Sequence, residues 1–281
     1  MLDKEGIKKY VMLYDRILRD HQIVVTDEDL HNIYQLILLT FDLDDLYDSI
    51  LHSRSVPQER KGCYVGRGYA AASECSPDSL SSKGAASPTE TLRERIKVAK
   101  IKQAMISLMP NRHPIALNSI DLVFEAMEEE AHADLSRSLN RYLSVCGRSI
   151  GAQLITGYLA SKNQIELNIW LSAIIVKFHD DINDIIRLAN DYLDVTVDTK
   201  RISEEVSQLK AIKFFHSKFE FKAYLSTRYI LHKVRYYLYS IYFRYLDVSH
   251  HQEDYLIAIK CIESVLDFAV KAYISDKKSF R

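Results

Sequence analysis

Hydrophobic positions recur at helical spacing along almost the whole chain. Apolar side chains three and four residues apart predict helices over 26–51, 91–109, 115–135, 136–161, 165–198, 201–247 and 251–274. No stretch alternates apolar and polar residues as a half-buried strand does, and no internal repeat is evident. The pattern therefore predicts one all-α domain over 1–281, with roughly ten helices.

The helix predicted over 26–51 is apolar on both sides. Thr26 and Asp29 give its start a capping-box pattern, with acidic residues near the helix N-terminus. One face carries Leu30, Ile33, Ile37 and Phe41, and the other carries Leu36, Leu39, Leu43 and Leu46. A helix that is apolar all round is typical of the interior of a large helical domain.

Residues 52–91 differ in composition from the rest of the chain. They are rich in Ser, Gly, Ala and Pro and show no sustained hydrophobic period. We therefore predict a long, mobile loop over 52–91. In an enzyme, such a loop is either a lid over the active site or a dispensable connection.

Composition supports long helices and excludes some function classes. The 281 residues include only 8 Gly and 5 Pro, too few for an all-β chain with many turns. With 37 Lys and Arg against 38 Asp and Glu, the net charge of −1 excludes a chain-wide basic surface for nucleic acid. The four cysteines show no metal-binding spacing and are too few for a disulfide scaffold, which predicts a reducing cytoplasm. The sequence shows neither a signal-peptide pattern nor an apolar run long enough to span a membrane.

The first candidate for chemistry is the acidic cluster Asp44, Asp45 and Asp48. At helical spacing its three carboxylates lie on the face that carries Ile37 and Phe41, so an apolar stripe runs directly into them. Three carboxylates packed together need cations, and Mg²⁺ bound to a phosphate is a natural partner for such hard oxygen ligands. The alternative is a chance run of acids in a chain that is rich in aspartate.

The second candidate is the series Asn190, Asp194 and Asp198. A spacing of four residues places all three on one helix face, which also carries Arg187. An amide oxygen and two carboxylates form a reasonable second site for a divalent cation, and the alternative is a solvated helix face. The nearby run 180–184 is a second Asp-Asp-x-x-Asp. We interpret that run, together with Asp191 and Arg187, as a salt-bridged surface.

The third candidate is Arg148, which lies just before Gly151 and Gly157. Glycines inside a strong helical pattern indicate a helix break or a close approach of two backbones. An Arg beside a helix break suits a diphosphate, because its planar guanidinium binds phosphate oxygens with two parallel hydrogen bonds. The alternative is an ordinary surface arginine.

Taken together, these three features resemble class I terpene synthases. In that family an aspartate-rich DDxxD motif and a second motif, (N/D)Dxx(S/T)xxxE, lie on facing helices of an all-α bundle around a central cavity. DDLYD at 44–48 matches the first motif, and NDYLDVTVD at 190–198 matches the spacing of the second, with Asp194 and Asp198 at its Ser/Thr and Glu positions. Arg148 lies about as far before the second motif as the diphosphate-sensing arginine of the family.

The resemblance implies a function and a set of site residues. The expected fold is an orthogonal helix bundle around a central cavity, and the expected substrate is a C15 or C20 prenyl diphosphate ionised with Mg²⁺, three ions in all. Tyr and Phe at 214–245 would stabilise carbocations in the cavity. The resemblance is also compatible with a homodimer. The implied catalytic residues are Asp44, Asp45 and Asn190, the implied metal ligands are Asp44, Asp45, Asp48, Asn190, Asp194 and Asp198, and the implied diphosphate ligands are Arg148, Lys200 and Arg201.

Two other functions remain open from the sequence. The second motif also resembles that of the trans-isoprenyl diphosphate synthases, but their early Gly-Gly-Lys-x-x-Arg-Pro segment, which holds the second substrate, is absent. This absence favours a cyclase over a chain-elongating enzyme. The chain departs from the cyclase pattern at Val197, where that family often has a basic residue, and Lys200 and Arg201 are the candidates to replace it. A non-catalytic helical scaffold with solvated acidic faces is the remaining alternative.

Overall fold

Helices form all the regular secondary structure in the described part of the chain. The computed structural model describes residues 4–55, 88–132, 134–135, 137–197, 210–246 and 251–275. Its helices are α1 (Lys4–Asp20), α2 (Asp27–Ser55), α3 (Pro88–Leu108), α4 (Pro114–His132), α5 (Leu139–Ser149), α6 (Ala152–Lys162), α7 (Leu167–Trp170), α8 (Ala173–Val197), α9 (Lys218–Ile241) and α10 (Gln252–Ser275). The described residues contain no strand, so the predicted all-α class is confirmed. None of these helices combines the length and hydropathy needed to cross a membrane.

A reciprocal capping box fixes the start of α2, as the sequence predicts. The Asp29 carboxylate accepts a hydrogen bond from the Thr26 backbone N–H at 2.8 Å, and the Asp29 N–H donates to the Thr26 hydroxyl at 3.2 Å. The same carboxylate accepts a hydrogen bond from the Tyr158 hydroxyl and pairs with Lys162, both on α6. The cap therefore also ties the first turn of α2 to α6.

The main hydrophobic cluster draws on α1, α2, α3, α4, α6, α8 and α10, and α2 contributes to it from both of its predicted apolar faces. Ile33 comes from one of these faces, Leu36 and Leu43 come from the other, and all three are fully or almost fully buried. Phe41 departs from the pattern with 53% of its surface exposed. A smaller cluster around Tyr142 and the buried, unpaired thiol of Cys146 joins α5 to α8 and to the first turns of α9.

The predicted helix over 136–161 is two helices that meet at Gly151. This residue has φ +79°, a left-handed conformation that disfavours side chains with a Cβ. A Cβ added there would lie 2.6 Å from Cγ2 of Thr40 on α2, so the break also packs directly against α2. At Gly157 an added Cβ would lie 2.1 Å from the Ser119 hydroxyl oxygen on α4. One glycine therefore marks a break and the other a close helix contact, which are the two roles that the sequence indicates.

Several predicted boundaries need correction. The ends of the predicted 52–91 loop are helical, because α2 continues to Ser55 and α3 begins at Pro88. The rest of that loop, 56–87, lies outside the described residues. The helix predicted over 165–198 is divided into α7 and α8, and α9 begins only at Lys218, where the Ser217 hydroxyl caps it by accepting from the Glu220 N–H. Pro110–Arg112 and Ala211–Phe214 form 3₁₀ turns, and Tyr242–Leu246 forms a π-helical turn after α9.

The contact between Gly157 and Ser119 gives a stability prediction. Gly157→Ala should lower the free energy of unfolding by about 1–2 kcal/mol, because the overpacking of α4 against α6 outweighs the helix propensity gained from alanine. The measurement is denaturant unfolding of the wild type, the two single variants and the double variant Ser119→Gly/Gly157→Ala. We expect the double variant to be more stable than the sum of the two single effects predicts. Simple additivity would contradict the clash.

Candidate active site

A cavity of about 210 Å³ lies between the helices, and its wall is mainly apolar. Helix α2 supplies Tyr34, Ile37, Thr40, Phe41 and Asp44, which share one face of that helix. The remaining described lining residues are Tyr10, Met127, Ser149, Ile150, Gly151, Ala152, Ile155, Ile186, Arg187, Asn190, Val265, Phe268, Ala269 and Ala272. Because Phe41 and Asp44 are exposed while the opposite wall is buried core, the cavity opens to solvent beside the middle of α2.

Two residues that the sequence assigns to separate acidic motifs line this one cavity. Asp44 belongs to the first motif and lies on α2, and Asn190 begins the second motif and lies on α8. Their side chains supply a carboxylate and an amide oxygen to the same space. Asp45 is exposed and is not among the described lining residues. Five other predicted site residues lie wholly or partly outside the described part of the chain. The structure describes neither the side chains of Asp48 and Asp194 nor any part of Asp198, Lys200 and Arg201.

The helix break at Gly151 forms another part of the cavity wall. Ser149, Ile150, Gly151 and Ala152 all line the cavity, so the N-terminus of α6 faces this space. Its N-cap residue is Gly151, which has no side chain to cap the helix. The N-terminus of a helix carries unpaired N–H groups and the positive end of the helix dipole, both of which favour a bound anion.

Arg187 is the basic residue among the described residues that line the cavity. It lies on α8 one turn before Asn190, and its side chain is 17% exposed. Its Nε donates to the Tyr142 hydroxyl at 3.0 Å and lies 3.3 Å from Oδ1 of Asp191, and its Nη2 lies 3.5 Å from Oε1 of Glu130. Burial by itself lowers the pKa of Arg187, but the neighbouring Asp191 and Glu130 raise it well above its usual value. The residue is therefore a permanent cation held rigidly at the cavity wall.

Arg148 lies outside the described lining of the cavity. Arg148 Nη2 donates to Glu129 at 2.7 Å, and Arg148 Nε donates to the Ser144 carbonyl at 2.6 Å. Glu129 also pairs with Arg141. The structure therefore brings Asp44, Asn190 and Arg187 together and directs Arg148 to a carboxylate on α4.

The second Asp-Asp-x-x-Asp run, 180–184, was predicted to be a salt-bridged surface. The structure confirms the salt bridges of Asp181 and Asp184 and the exposure of Asp180, but not a surface position for Asp181. Asp181 is 4% exposed and is paired with Lys177 and Arg235. Burial raises the pKa of the Asp184 carboxyl to about 6, and Arg228 offsets part of that rise. The surface prediction is also wrong for Asp191, which is fully buried and accepts a hydrogen bond from Tyr142 at 2.6 Å. Cations of the protein itself thus neutralise these carboxylates.

The aromatic residues of the cavity also differ from the prediction. Tyr and Phe from 214–245 were expected to line it, but the described aromatic lining residues are Tyr10, Tyr34, Phe41 and Phe268. The Tyr34 hydroxyl is buried and has no hydrogen-bond partner among the described residues. Burial raises the pKa of Tyr34, so this hydroxyl is neutral. Tyr34, Ile37 and Phe41 precede Asp44 at helical spacing. This pattern in the sequence could have predicted that they line the same cavity as Asp44.

The described oxygen atoms at the cavity are of the kind that binds Mg²⁺. Carboxylate and amide oxygens are the hard ligands that this ion prefers, and Asp44 and Asn190 present one of each to the cavity. Within the described residues no group of three or more His, Cys, Asp or Glu side chains is arranged to hold a metal ion.

Comparison of the chain with protein-family models, with curated proteins and with solved structures finds no match. The geometry of the cavity and the sequence motifs are therefore the observations on which a function can be argued.

Proposed function

We propose that the chain is a Mg²⁺-dependent class I terpene synthase, which ionises a prenyl diphosphate and releases a hydrocarbon or an alcohol. The observation that carries this proposal is that Asp44 and Asn190, from two separate oxygen-rich motifs, line one apolar cavity. A solvated acidic face on a scaffold has no need of an apolar cavity beside it. The proposal includes the finer architecture, an isoprenoid-synthase-like bundle around this cavity.

The oxygen ligands divide between two helices. Asp44, Asp45 and Asp48 on α2, and Asn190, Asp194 and Asp198 of the second motif, would hold Mg²⁺ at the open end of the cavity. When bound, the metal ions neutralise the diphosphate and stabilise it as a leaving group. The N-terminus of α6 supplies further positive potential from the protein at the same cavity. Arg187 lies at the same wall as a hydrogen-bond donor, with its charge shared with Asp191 and Glu130. Lys200 and Arg201 remain candidate diphosphate ligands from the sequence.

The apolar wall suits the chemistry after ionisation. Ionisation breaks the bond between C1 of the prenyl chain and the diphosphate oxygen, and the electron pair of that bond leaves with the diphosphate. Ile37, Ile155, Ile186 and Val265 exclude water, which would otherwise capture the allyl cation early. Tyr34 and Phe268 also line the cavity, and aromatic rings stabilise a nearby cation through their π faces. The reaction ends by loss of a proton, for which the departing diphosphate can act as base, or by capture of water.

The cavity volume bears on the substrate. A cavity of about 150 Å³ holds one benzene ring. On this scale the 210 Å³ cavity accommodates fewer than fifteen carbons in its present shape. On the same scale a C10, C15 or C20 chain extends beyond the enclosed space into the open side of the cavity.

A product assay tests the proposal and its closest alternative. We expect C10, C15 or C20 prenyl diphosphate, supplied alone with Mg²⁺, to give a hydrocarbon or alcohol. Isopentenyl diphosphate should add nothing, because the sequence lacks the Gly-Gly-Lys-x-x-Arg-Pro segment with which the elongating enzymes hold their second substrate. Gas chromatography with mass spectrometry identifies the products. Longer prenyl diphosphates that appear only with isopentenyl diphosphate would assign the chain to the elongating enzymes instead.

A binding measurement separates both enzymes from a scaffold. Ligands that bind only the folded state stabilise it by about 2.7 kcal/mol at a hundred times their dissociation constant. Mg²⁺ together with pyrophosphate should therefore raise the midpoint of thermal unfolding, whereas each alone should raise it less. An unchanged midpoint would favour the scaffold.

A further inference from the structure

The outer face of α9 and the π-helical turn that follows it is apolar and exposed. Leu231, Val234, Leu238, Ile241 and Tyr245 are separated by alternating steps of three and four residues, and each is at least half exposed. Ile230, Tyr237 and Tyr242 extend the same face, with exposed fractions of 60%, 63% and 43%. The eight side chains form a continuous stripe, about 21 Å long from Leu231 to Tyr245. We refer to them as the α9 stripe.

Charged residues of α9 are directed to the opposite side. Arg228 pairs with Asp184, Arg235 pairs with Asp181, and Lys233 pairs with Glu263 and Asp267 on α10. His232 is buried against Glu263 at 2.7 Å. Between 228 and 241 the helix therefore directs its charged side chains toward the protein and its aliphatic ones toward solvent, which is the reverse of an ordinary surface helix.

The exposed area is large for a monomer. The α9 stripe exposes on the order of 1,000 Å², whereas the largest apolar patch on a typical monomer is about 300–600 Å². A stable interface of standard size needs about 800 Å² from each partner. Burial of most of the stripe against an identical stripe would therefore approach the area of a standard interface.

We propose that the α9 stripe is the interface of a homodimer, in which α9 of one chain packs against α9 of a second copy. Alternating steps of three and four residues are the spacing by which two helices interlock along a common seam. Arg244, exposed beside Tyr245, is the charged residue of this face, and its presence with Tyr237, Tyr242 and Tyr245 matches the enrichment of Arg and Tyr in interfaces. A membrane surface fits less well, because helices that lie on membranes direct Lys and Arg toward the headgroups, whereas Arg228, Lys233 and Arg235 are engaged in ion pairs within the protein.

The proposed dimer does not depend on the proposed catalytic function. Among the described residues that line the cavity, none belongs to α9. The oligomeric state can therefore be measured without reference to turnover.

Sedimentation equilibrium over a range of concentrations tests the proposal. We expect the wild type to have twice the mass of one chain and Leu231→Glu/Leu238→Glu to be monomeric, with the helical circular dichroism retained because both leucines are exposed. The matched control is Leu92→Glu/Leu171→Glu, two leucines of similar exposure, 59% and 53%, on other surfaces. This control should remain dimeric. A monomeric wild type, or a dimeric Leu231→Glu/Leu238→Glu variant, would overturn the proposal.

A second experiment tests whether opposite charges placed on the α9 stripe restore association. Leu231 and Leu238 are seven residues apart, so they meet the same residues of the partner in a parallel pair and each other in an antiparallel pair centred between them. Leu231→Lys/Leu238→Lys should be monomeric alone and should form a mixed dimer with the Glu variant. Two variants that stay monomeric when mixed would count against the interface. Binding of the wild type to phosphatidylcholine vesicles, lost in the Glu variant, would assign the stripe to a membrane instead.

Discussion

Asp44→Ala and Asn190→Ala should each abolish turnover of a prenyl diphosphate while the fold persists. We expect kcat to fall by about a thousandfold or more, because each change removes an oxygen ligand from the charge-stabilising site. Asp44 is exposed and Asn190 is half-buried, so neither change creates a cavity in the core. Circular dichroism and the thermal midpoint should therefore remain close to those of the wild type.

Two aspartates serve as matched controls for that experiment. Asp42 is an exposed residue of α2 beside the first motif, and Asp180 is an exposed residue of α8 in the second Asp-Asp-x-x-Asp run. Neither is among the described residues that line the cavity. Asp42→Ala and Asp180→Ala should keep most of the activity. Full activity in Asp44→Ala and Asn190→Ala, or equal losses in all four variants, would contradict the proposed site.

The second large effect concerns Arg187, which we propose acts on the diphosphate at the cavity wall. We expect Arg187→Lys to lower kcat by roughly a hundredfold, because lysine keeps the charge but loses the planar guanidinium. Arg148→Lys should have little effect, since Arg148 is directed to Glu129 on α4. The thermal shift caused by Mg²⁺ and pyrophosphate should shrink in parallel for Arg187→Lys and not for Arg148→Lys.

Removing the charge of Arg187 altogether requires a compensating change. Arg187→Met alone leaves Asp191 buried without its cation, which costs about 3–5 kcal/mol and confounds any loss of activity. The double variant Arg187→Met/Asp191→Asn removes both charges and keeps an oxygen that can accept from Tyr142. It should fold and should bind pyrophosphate more weakly than the wild type. A loss of activity confined to Arg148→Lys would instead support Arg148 as the diphosphate ligand, as its distance from the second motif predicts.

Much of the local structure follows from the sequence because it depends on neighbours along the chain. The capping box at Thr26 and Asp29 is confirmed, since each partner lies within one turn of the other. The break at Gly151 follows from a residue that alone accepts φ +79° there without strain. The all-α class follows from sustained helical spacing with few glycines and prolines. These features need no knowledge of what each helix packs against.

The spacing of apolar residues does not show whether an apolar helix face is buried or exposed. The α9 stripe and the core faces of α2 have the same apolar spacing, yet one is exposed and the other is buried. The run 180–184 has the charges of a surface, yet Asp181 is buried because Lys177 and Arg235 neutralise it. The sequence shows that burying an aspartate is costly, but it does not show whether a cation from another helix will pair with it and lower that cost.

For the candidate site, the sequence by itself determined which oxygen ligands share a helix face, because the helical repeat fixes that relation over a few turns. Only the tertiary structure decided that Asp44 on α2 and Asn190 on α8 line the same cavity, and that Arg187 lies there while Arg148 lies against Glu129. It also selected Tyr10, Tyr34, Phe41 and Phe268 as the aromatic wall in place of residues from 214–245. The physical reason is that helix rotation and crossing are set by side-chain packing between elements far apart in sequence.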